Sequence, residues 1–315
     1  MSCRLRSTYL VSACFVLGAL AAVACSRPEP VASVPQAHAP YVSRTKAATF
    51  GHRDRRSARR GRAQELQLLP SPSGNLLDDD DADQPAQNNG LCPPEMASID
   101  DRYCIDRYEA SLVEILPNGD ERAWSPFEAL DRGGAFQAHP PVVRAISAQG
   151  VTPQAYISEV QAKVACARSG KRLCKAQEWK RACMGPSQTT YPYGRANEAG
   201  RCNDHGRSPM ATIFGLGGSS KPSLWTPHMN DPQLNRLAGT LAPTGAHGGC
   251  TNEYGVYDMV GNVHEWVDDP DGTFLGGFYL DTHQLGDGCN YRTPGHDVYY
   301  HDYSTGFRCC ADVAP

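Results

Sequence analysis

Apolar residues along this chain fall in short bursts between turn formers, the pattern of a loop-rich domain with few long elements. Residues 92–109 read as a strand, a turn and a second strand, and residues 141–143 as a short extended run. Thr152-Pro153 offers an N-cap followed by proline at the first helical position, so a helix is predicted from there to about Arg168, stopped by Gly170. Tyr156, Val160 and Val164, four residues apart, would form its apolar face. A second helix is predicted over 175–184, with Trp179 as a core residue. Residues 205–235 are rich in Gly, Ser and Pro and read as an insertion. In residues 249–269, Gly255 and Gly261 lie six apart, with Asn252 before the first and Asn262 after the second, which predicts a tight loop. No internal repeat is evident.

Charge divides the chain. The first 90 residues carry 11 Lys and Arg against 8 Asp and Glu, and the remaining residues carry 19 against 26. The later part is mildly acidic, which gives no basis for a nucleic-acid partner. Thirteen cysteines are present, ten of them at or after position 92, even in number and dispersed. They show no zinc-type spacing, so they read as a disulfide framework in an oxidising compartment. Twelve positions separate Cys92 from Cys104 across the predicted hairpin, the spacing of a local bridge.

The front of the chain has a different character. Residues 1–25 read as a signal peptide, with Arg4 and Arg6 ahead of an apolar stretch at 9–22. Ala22-Val23-Ala24-Cys25 resembles a bacterial lipobox. Cys25 would then be lipidated, and the protein would be an envelope lipoprotein on the periplasmic or cell-surface side, its membrane contact a lipid anchor. Ordinary cleavage before Cys25 is the alternative. Residues 26–90 combine Pro-rich, Arg-rich and Asp-rich patches with few large apolar residues, the composition of a disordered tether. The folded domain is expected over 91–315.

Several segments together carry a family resemblance. Residues 249–269 contain Tyr254-Gly255-Val256-Tyr257-Asp258-Met259-Val260-Gly261-Asn262-Val263-His264-Glu265-Trp266. Gly170-Lys171-Arg172-Leu173 leads into the second helix, Leu275-Gly276-Gly277-Phe278-Tyr279 follows, and the chain closes on Gly306-Phe307-Arg308-Cys309-Cys310. The sequence resembles the formylglycine-generating enzymes, the sulfatase-modifying factor family, over about 91–315 with 205–235 unmatched. The resemblance implies a loop-rich α+β domain, the sulfatase-modifying-factor fold, related to C-type lectins and stapled by disulfides. It implies the pairs Cys166–Cys309 and Cys183–Cys289. Cys174, Cys202, Cys250 and Cys310 then admit three pairings, of which Cys202–Cys250 with Cys174–Cys310 is one.

The resemblance also implies two calcium sites. One matches Asn252, Glu253 and Gly255, with Tyr257 nearby; the other matches Asn203, Asp204, Asn235 and Leu237. Asn and Asp oxygens and bare carbonyls suit this hard cation. At the catalytic centre, enzymes of the family hold copper(I) on two thiols and oxidise a substrate cysteine with oxygen. Here the first thiol position falls on Asp281 and the second near Gly286, Phe278 stands for the usual serine, and the nearest cysteine, Cys289, belongs to an implied disulfide. A carboxylate has no thiolate redox chemistry, so the copper reaction is not expected. The expected function is a non-catalytic binding or scaffold module for a peptide, protein or glycan. The alternative is a metal-dependent oxidoreductase using Asp281, His283, Asp287, His296, Asp297, His301 and Asp302. His264 replaces a tryptophan of the family motif and is expected to be a partly buried, hydrogen-bonding histidine.

Overall fold

A computed structural model of the chain describes residues 90–131, 140–216 and 222–314. The stretch expected to be a signal peptide, with Cys25 as the expected lipidation site, and the expected tether up to residue 89 lie outside the described residues. Eleven short strands and four helices are present among the described residues. The strands are β1 (Met96–Ile99), β2 (Tyr103–Asp106), β3 (Ala110–Ile115), β4 (Glu121–Ala123), β5 (Val143–Ser147), β6 (Arg172–Leu173), β7 (His264–Trp266), β8 (Phe274–Leu275), β9 (Arg292–Thr293), β10 (Thr305–Phe307) and β11 (Cys309–Asp312). The helices are α1 (Glu159–Arg168), α2 (Ala176–Met184), α3 (Pro209–Phe214) and α4 (Pro222–Trp225).

Three small sheets result, ordered β1-β2-β11-β6, β10-β7-β8-β9 and β4-β3-β5. The predicted hairpin is β1–β2, with Met96 opposite Asp106. Its second strand takes β11 as its other neighbour, Cys310 opposite Ile105, so the end of the domain is laid against its beginning. In the second sheet β7 and β10 run parallel, His264 level with Thr305, which joins the motif stretch to the closing Gly306-Phe307-Arg308.

The first helix starts later than predicted. Thr152-Pro153 has the local form of a helix start, but the chain stays irregular until Ser158, the true N-cap. The Gln161 N–H donates to the Ser158 hydroxyl and the Ser158 N–H donates to the Gln161 side chain, a reciprocal capping box. Between these points the backbone is engaged elsewhere. Gln154 N–H donates to Ala110, Ala155 to Pro126 and Tyr156 to Asp302. Tyr156 sits at φ 57°, outside the right-handed helical region. The buried face is therefore not the predicted one: Ala162, Ala165 and Cys166 face inward, while Val164 is 42% exposed. In α2 no hydroxyl stands at the N-cap Lys175; the Glu178 carboxylate reaches back to accept from the Lys175 N–H at 2.9 Å.

Three large apolar clusters and a small one, Met96 with Cys92 and Cys104, fill the described domain. One gathers Trp179, Ile99, Ile105, Met259 and Val260 beneath α2. A second joins Leu112, Ile157, Trp266, Phe274 and Phe307. The third brings the 205–235 segment into the core, Met210 and Leu234 packing on Tyr156, Val263, Tyr279 and Tyr303. Five disulfides cross these clusters: Cys92–Cys104, Cys166–Cys309, Cys174–Cys310, Cys183–Cys289 and Cys202–Cys250. Such a density of bridges suits an oxidising compartment.

Candidate functional site

The motif stretch 249–269 is held by a buried polar spine. Glu265 on β7 receives Arg308 at both oxygens, Nε to Oε2 at 2.6 Å and Nη2 to Oε1 at 2.7 Å, and Trp179 Nε1 at 2.6 Å. Arg308 also donates to the Asp106, Arg107 and Tyr257 carbonyls. Glu109 accepts from Asn262 Nδ2 at 2.6 Å and from the Val263 N–H at 3.2 Å. Burial, then the neighbouring Asp258 and Glu265 charges, pushes the Glu109 carboxyl well above its ordinary range. Gly261 permits the close fit at this point: it lies at φ 83°, and a Cβ there would come within 2.3 Å of the Asn203 carbonyl oxygen.

The two implied calcium sets differ in how well they suit the ion. In the first, the Asn252 carboxamide closes α2, donating to the Ala182 and Cys183 carbonyls at 2.7 and 3.0 Å, and its oxygen accepts from the Tyr254 N–H. Glu253 accepts from the Ser187 hydroxyl at 3.1 Å. Arg107 Nη1 donates to the Gly255 carbonyl at 3.1 Å, and Arg308 Nη2 to the Tyr257 carbonyl at 2.8 Å. The Asn252, Gly255 and Tyr257 oxygens already accept from protein donors, two of them cationic, so these three positions suit calcium poorly.

The second set fits in part. Asp204 is buried, and its Oδ1 meets His205 Nδ1 at 2.5 Å and the Gly200 N–H at 3.2 Å. Its Oδ2 is buried with no hydrogen-bond partner, an anionic oxygen open to a cation. Asn203 Nδ2 donates to the Thr240 carbonyl at 2.9 Å and to Asn262 Oδ1 at 2.8 Å. Asn235 is committed, accepting from the Tyr279 hydroxyl at 3.0 Å and donating to the Tyr303 carbonyl at 2.6 Å, and the Leu237 carbonyl accepts from Thr240 at 2.7 Å.

Beyond Gly277 the seven His and Asp residues do not converge. Asp281 accepts from the His283 and Gln284 N–H groups, each at 3.0 Å, and from the Tyr291 hydroxyl at 2.8 Å. The His283 ring lies between Tyr191, Asp287 and Asn197. His296 stacks on Phe274 and Tyr300. His301 bridges Asn230 and Asp131, at 2.8 and 3.0 Å. Asp297 caps the Tyr299 N–H, and Asp302 holds Ser304 and Tyr300. Among the described residues no three His, Cys, Asp or Glu side chains are grouped as metal ligands. Gly286 is a turn residue at φ 118°, and Cys289 is bonded to Cys183.

His264 is more deeply buried than expected and is not a hydrogen-bonding histidine at Nδ1, which has no partner. Its ring packs against Phe274, Phe278 and Tyr291 at 4.5, 4.8 and 5.5 Å. Burial, reinforced by His296, lowers it to about 3, so it is neutral at ordinary pH. The residues that sequence reasoning passed over are Glu109, Arg107 and Arg308. All three are charged residues flanked by strand-type apolar runs, a signal that marks buried pairing once it is looked for.

The fold and this arrangement define a domain of the FGE-sulfatase class, and the chain belongs to it: the model of the sulfatase-modifying factor enzyme 1-like domain family matches residues 67–311. The chain is similar to the bovine (Bos taurus) protein named inactive C-alpha-formylglycine-generating enzyme 2, 30% identical over 123 residues, which is 36% of this chain and 32% of that protein. The match thus spans about a third of that relative's length. Among solved structures, Treponema denticola variable protein 1 aligns at 14% identity and a TM-score of 0.41, covering 67% of this chain and 84% of that one. The Major Tropism Determinant I1 variant aligns at 11% identity and a TM-score of 0.38, covering 71% and 54% respectively.

Proposed function

We propose that the chain is an exported, lipid-anchored binding or scaffold module that keeps the framework of its family without the oxidase centre. The observation that carries this reading is the state of Asp281. It stands where the family resemblance puts the first thiol, and its carboxylate is spent on closing the loop through three donors. The nearest cysteine, Cys289, is buried in a disulfide and supplies no thiolate. The name of the bovine relative, which calls that protein inactive, points the same way. A calcium ion on Asp204 belongs to this reading as a structural ion, since it would satisfy the open Oδ2. The relation to C-type lectins that the family resemblance implies would give the module a scaffold for a peptide, protein or glycan ligand.

The test uses the full chain, produced in an oxidising compartment. Oxygen uptake is followed with a cysteine-bearing sulfatase peptide, with and without copper(I), and the peptide is analysed by mass. No uptake and no formylglycine are expected. Turnover of the peptide would overturn the reading.

A further inference from the structure

We infer that His301 is a pH-sensitive latch on the 205–235 segment, closed when its ring is a cation. The ring lies between two side chains from distant parts of the chain. Nδ1 is 2.8 Å from Asn230 Oδ1, and Nε2 is 3.0 Å from Asp131 Oδ2. The Asn230 amide cannot be turned the other way, because its Nδ2 donates to the His301 carbonyl at 3.1 Å, and a carbonyl only accepts. The Asp131 carboxylate also only accepts. Both ring nitrogens therefore face acceptors, and both bonds form only when both nitrogens carry protons. A neutral ring has a single N–H, so one contact would set a lone pair against an oxygen. With both nitrogens donating, the ring keeps no lone pair for a metal.

The latch sits on the seam that fastens this segment to the domain. Tyr303 N–H donates to the Met229 carbonyl at 3.0 Å, Asn235 Nδ2 to the Tyr303 carbonyl at 2.6 Å, and the Tyr156 hydroxyl to the Asp231 carbonyl at 2.9 Å. Amide and phenol donors keep their protons through neutral pH, so among these stitches His301 is the one that changes with it. Beneath the seam Met210 and Leu234 pack on Tyr156, Tyr279 and Tyr303. The other charged or titratable groups on the packed segments are engaged elsewhere. Arg236 faces Glu128 at 3.8 Å, Asp231 Oδ1 accepts from the Gln233 N–H, and His228 stacks on Phe214. On the loop of His301 itself, Asp297 caps the Tyr299 N–H, Asp302 holds Ser304 and Tyr300, and His296 stacks on Phe274. Asp131 is thus the carboxylate bonded to the ring among the described residues. Its side chain is 48% exposed, against 14% for His301. An ion pair so placed is weak, which suits a latch better than a permanent tie.

The test uses the full chain with its disulfides formed, between about pH 5 and about pH 8, where imidazole changes charge. Nitrogen NMR follows the protons on the His301 ring. Exchange protection of the Tyr303 amide, corrected for the intrinsic rate at each pH, follows the seam. The charged ring makes both bonds, so protection is expected to be highest on the acid side. It should fall by about two- to fivefold as the ring loses its proton, the share of a partly exposed ion pair. His301→Gln, which does not titrate, should lose this dependence. Asp131→Asn should lose it too but keep the latch closed, since its amide accepts from the charged ring and donates to the neutral one. Its protection at the alkaline end should therefore exceed that of the wild type. Wild-type protection that stays level while the ring titrates overturns the inference, as does a wild-type slope kept in either variant. If His301→Gln does not fold, the wild-type and Asp131→Asn arms decide it.

Discussion

Arg308 and Glu265 meet through two parallel hydrogen bonds, of 2.6 and 2.7 Å, with both side chains fully buried. One comes from the motif stretch and the other from the closing segment, so the pair clasps β7 to the end of the domain.

Breaking this pair from one side strands a buried charge. Arg308→Met is expected to destabilise the domain by roughly 3–5 kcal/mol, because the buried Glu265 carboxyl group is left with Trp179 as its remaining donor among the contacts described. Urea unfolding followed by tryptophan fluorescence measures it, Trp179 and Trp266 both being buried near the pair. A cost below about 1 kcal/mol would show the pair to be solvated in solution.

His264 and Asp258 give the acid limb of stability two opposing slopes. The folded state holds His264 at about 3 against 6.5, so it binds fewer protons than the unfolded chain between those values. This contribution is complete above pH 6.5 and is lost as pH falls through the window towards 3. Burial raises Asp258 from 3.8 to about 6, so the folded chain keeps a proton that the unfolded chain gives up. That contribution is complete below 3.8 and is lost as pH rises through 6. His264→Phe removes the first slope and leaves the second. Its stability relative to wild type should grow on acidification from pH 6.5, by up to about 1.4 kcal/mol per pH unit. Asp258→Asn, retaining an acceptor for the Gly245 N–H, should show the opposite trend. Thermal midpoints between pH 4 and 7, a range bracketing the ordinary carboxylate and imidazole values, check both.

Gly261 tolerates no side chain. Gly261→Ala combines a left-handed backbone, φ 83°, with a Cβ 2.3 Å from the Asn203 carbonyl oxygen. A loss of about 1–3 kcal/mol or more is expected from strain alone. Denaturant midpoints measure it, and the change should be greatest for exchange of the Asn262 amide, which donates to that same carbonyl.

All ten cysteines from Cys92 onward are paired. Peptide mapping under non-reducing, denaturing conditions should find no free thiol among them. Replacing Cys183 and Cys289 together by serine, which opens a link between positions 106 apart, should cost about 2–5 kcal/mol.

Local chemistry made part of this fold legible. The β1–β2 hairpin follows from its turn and flanking strands, and α2 falls within the stretch 175–184 that reads as a helix with Trp179 in the core. The start of α1 misleads because Thr152-Pro153 offers a capping hydroxyl followed by proline at the first helical position, although Ala155 gives it no capping-box partner. Its amide partners, Ala110, Pro126 and Asp302, lie far away along the chain and override it. The same holds at the candidate site. Asn252 and Gly255 look like oxygen ligands in isolation, and only the fold brings Arg107, more than a hundred residues earlier, onto the Tyr254 and Gly255 carbonyls. His264 is legible as a substitution, but the rings that enclose it come from β8, from Tyr291 just ahead of β9 and from the turn after Gly277.

Adjacent cysteines on β11 point to opposite sides of their strand, and each is tied to a different element: Cys309 to Cys166 in α1, Cys310 to Cys174 just after β6. A chain delivered N-terminus first exposes Cys166 and Cys174 long before their partners arrive, 143 and 136 positions later. Cys92–Cys104 and Cys202–Cys250, with separations of 12 and 48, can close as soon as they emerge. Assembly is thus ordered by delivery. Thiols that emerge early have only one another as partners until the last strand slots between β2 and β6, and thiol–disulfide exchange is the chemistry that returns a prematurely paired chain to the native set.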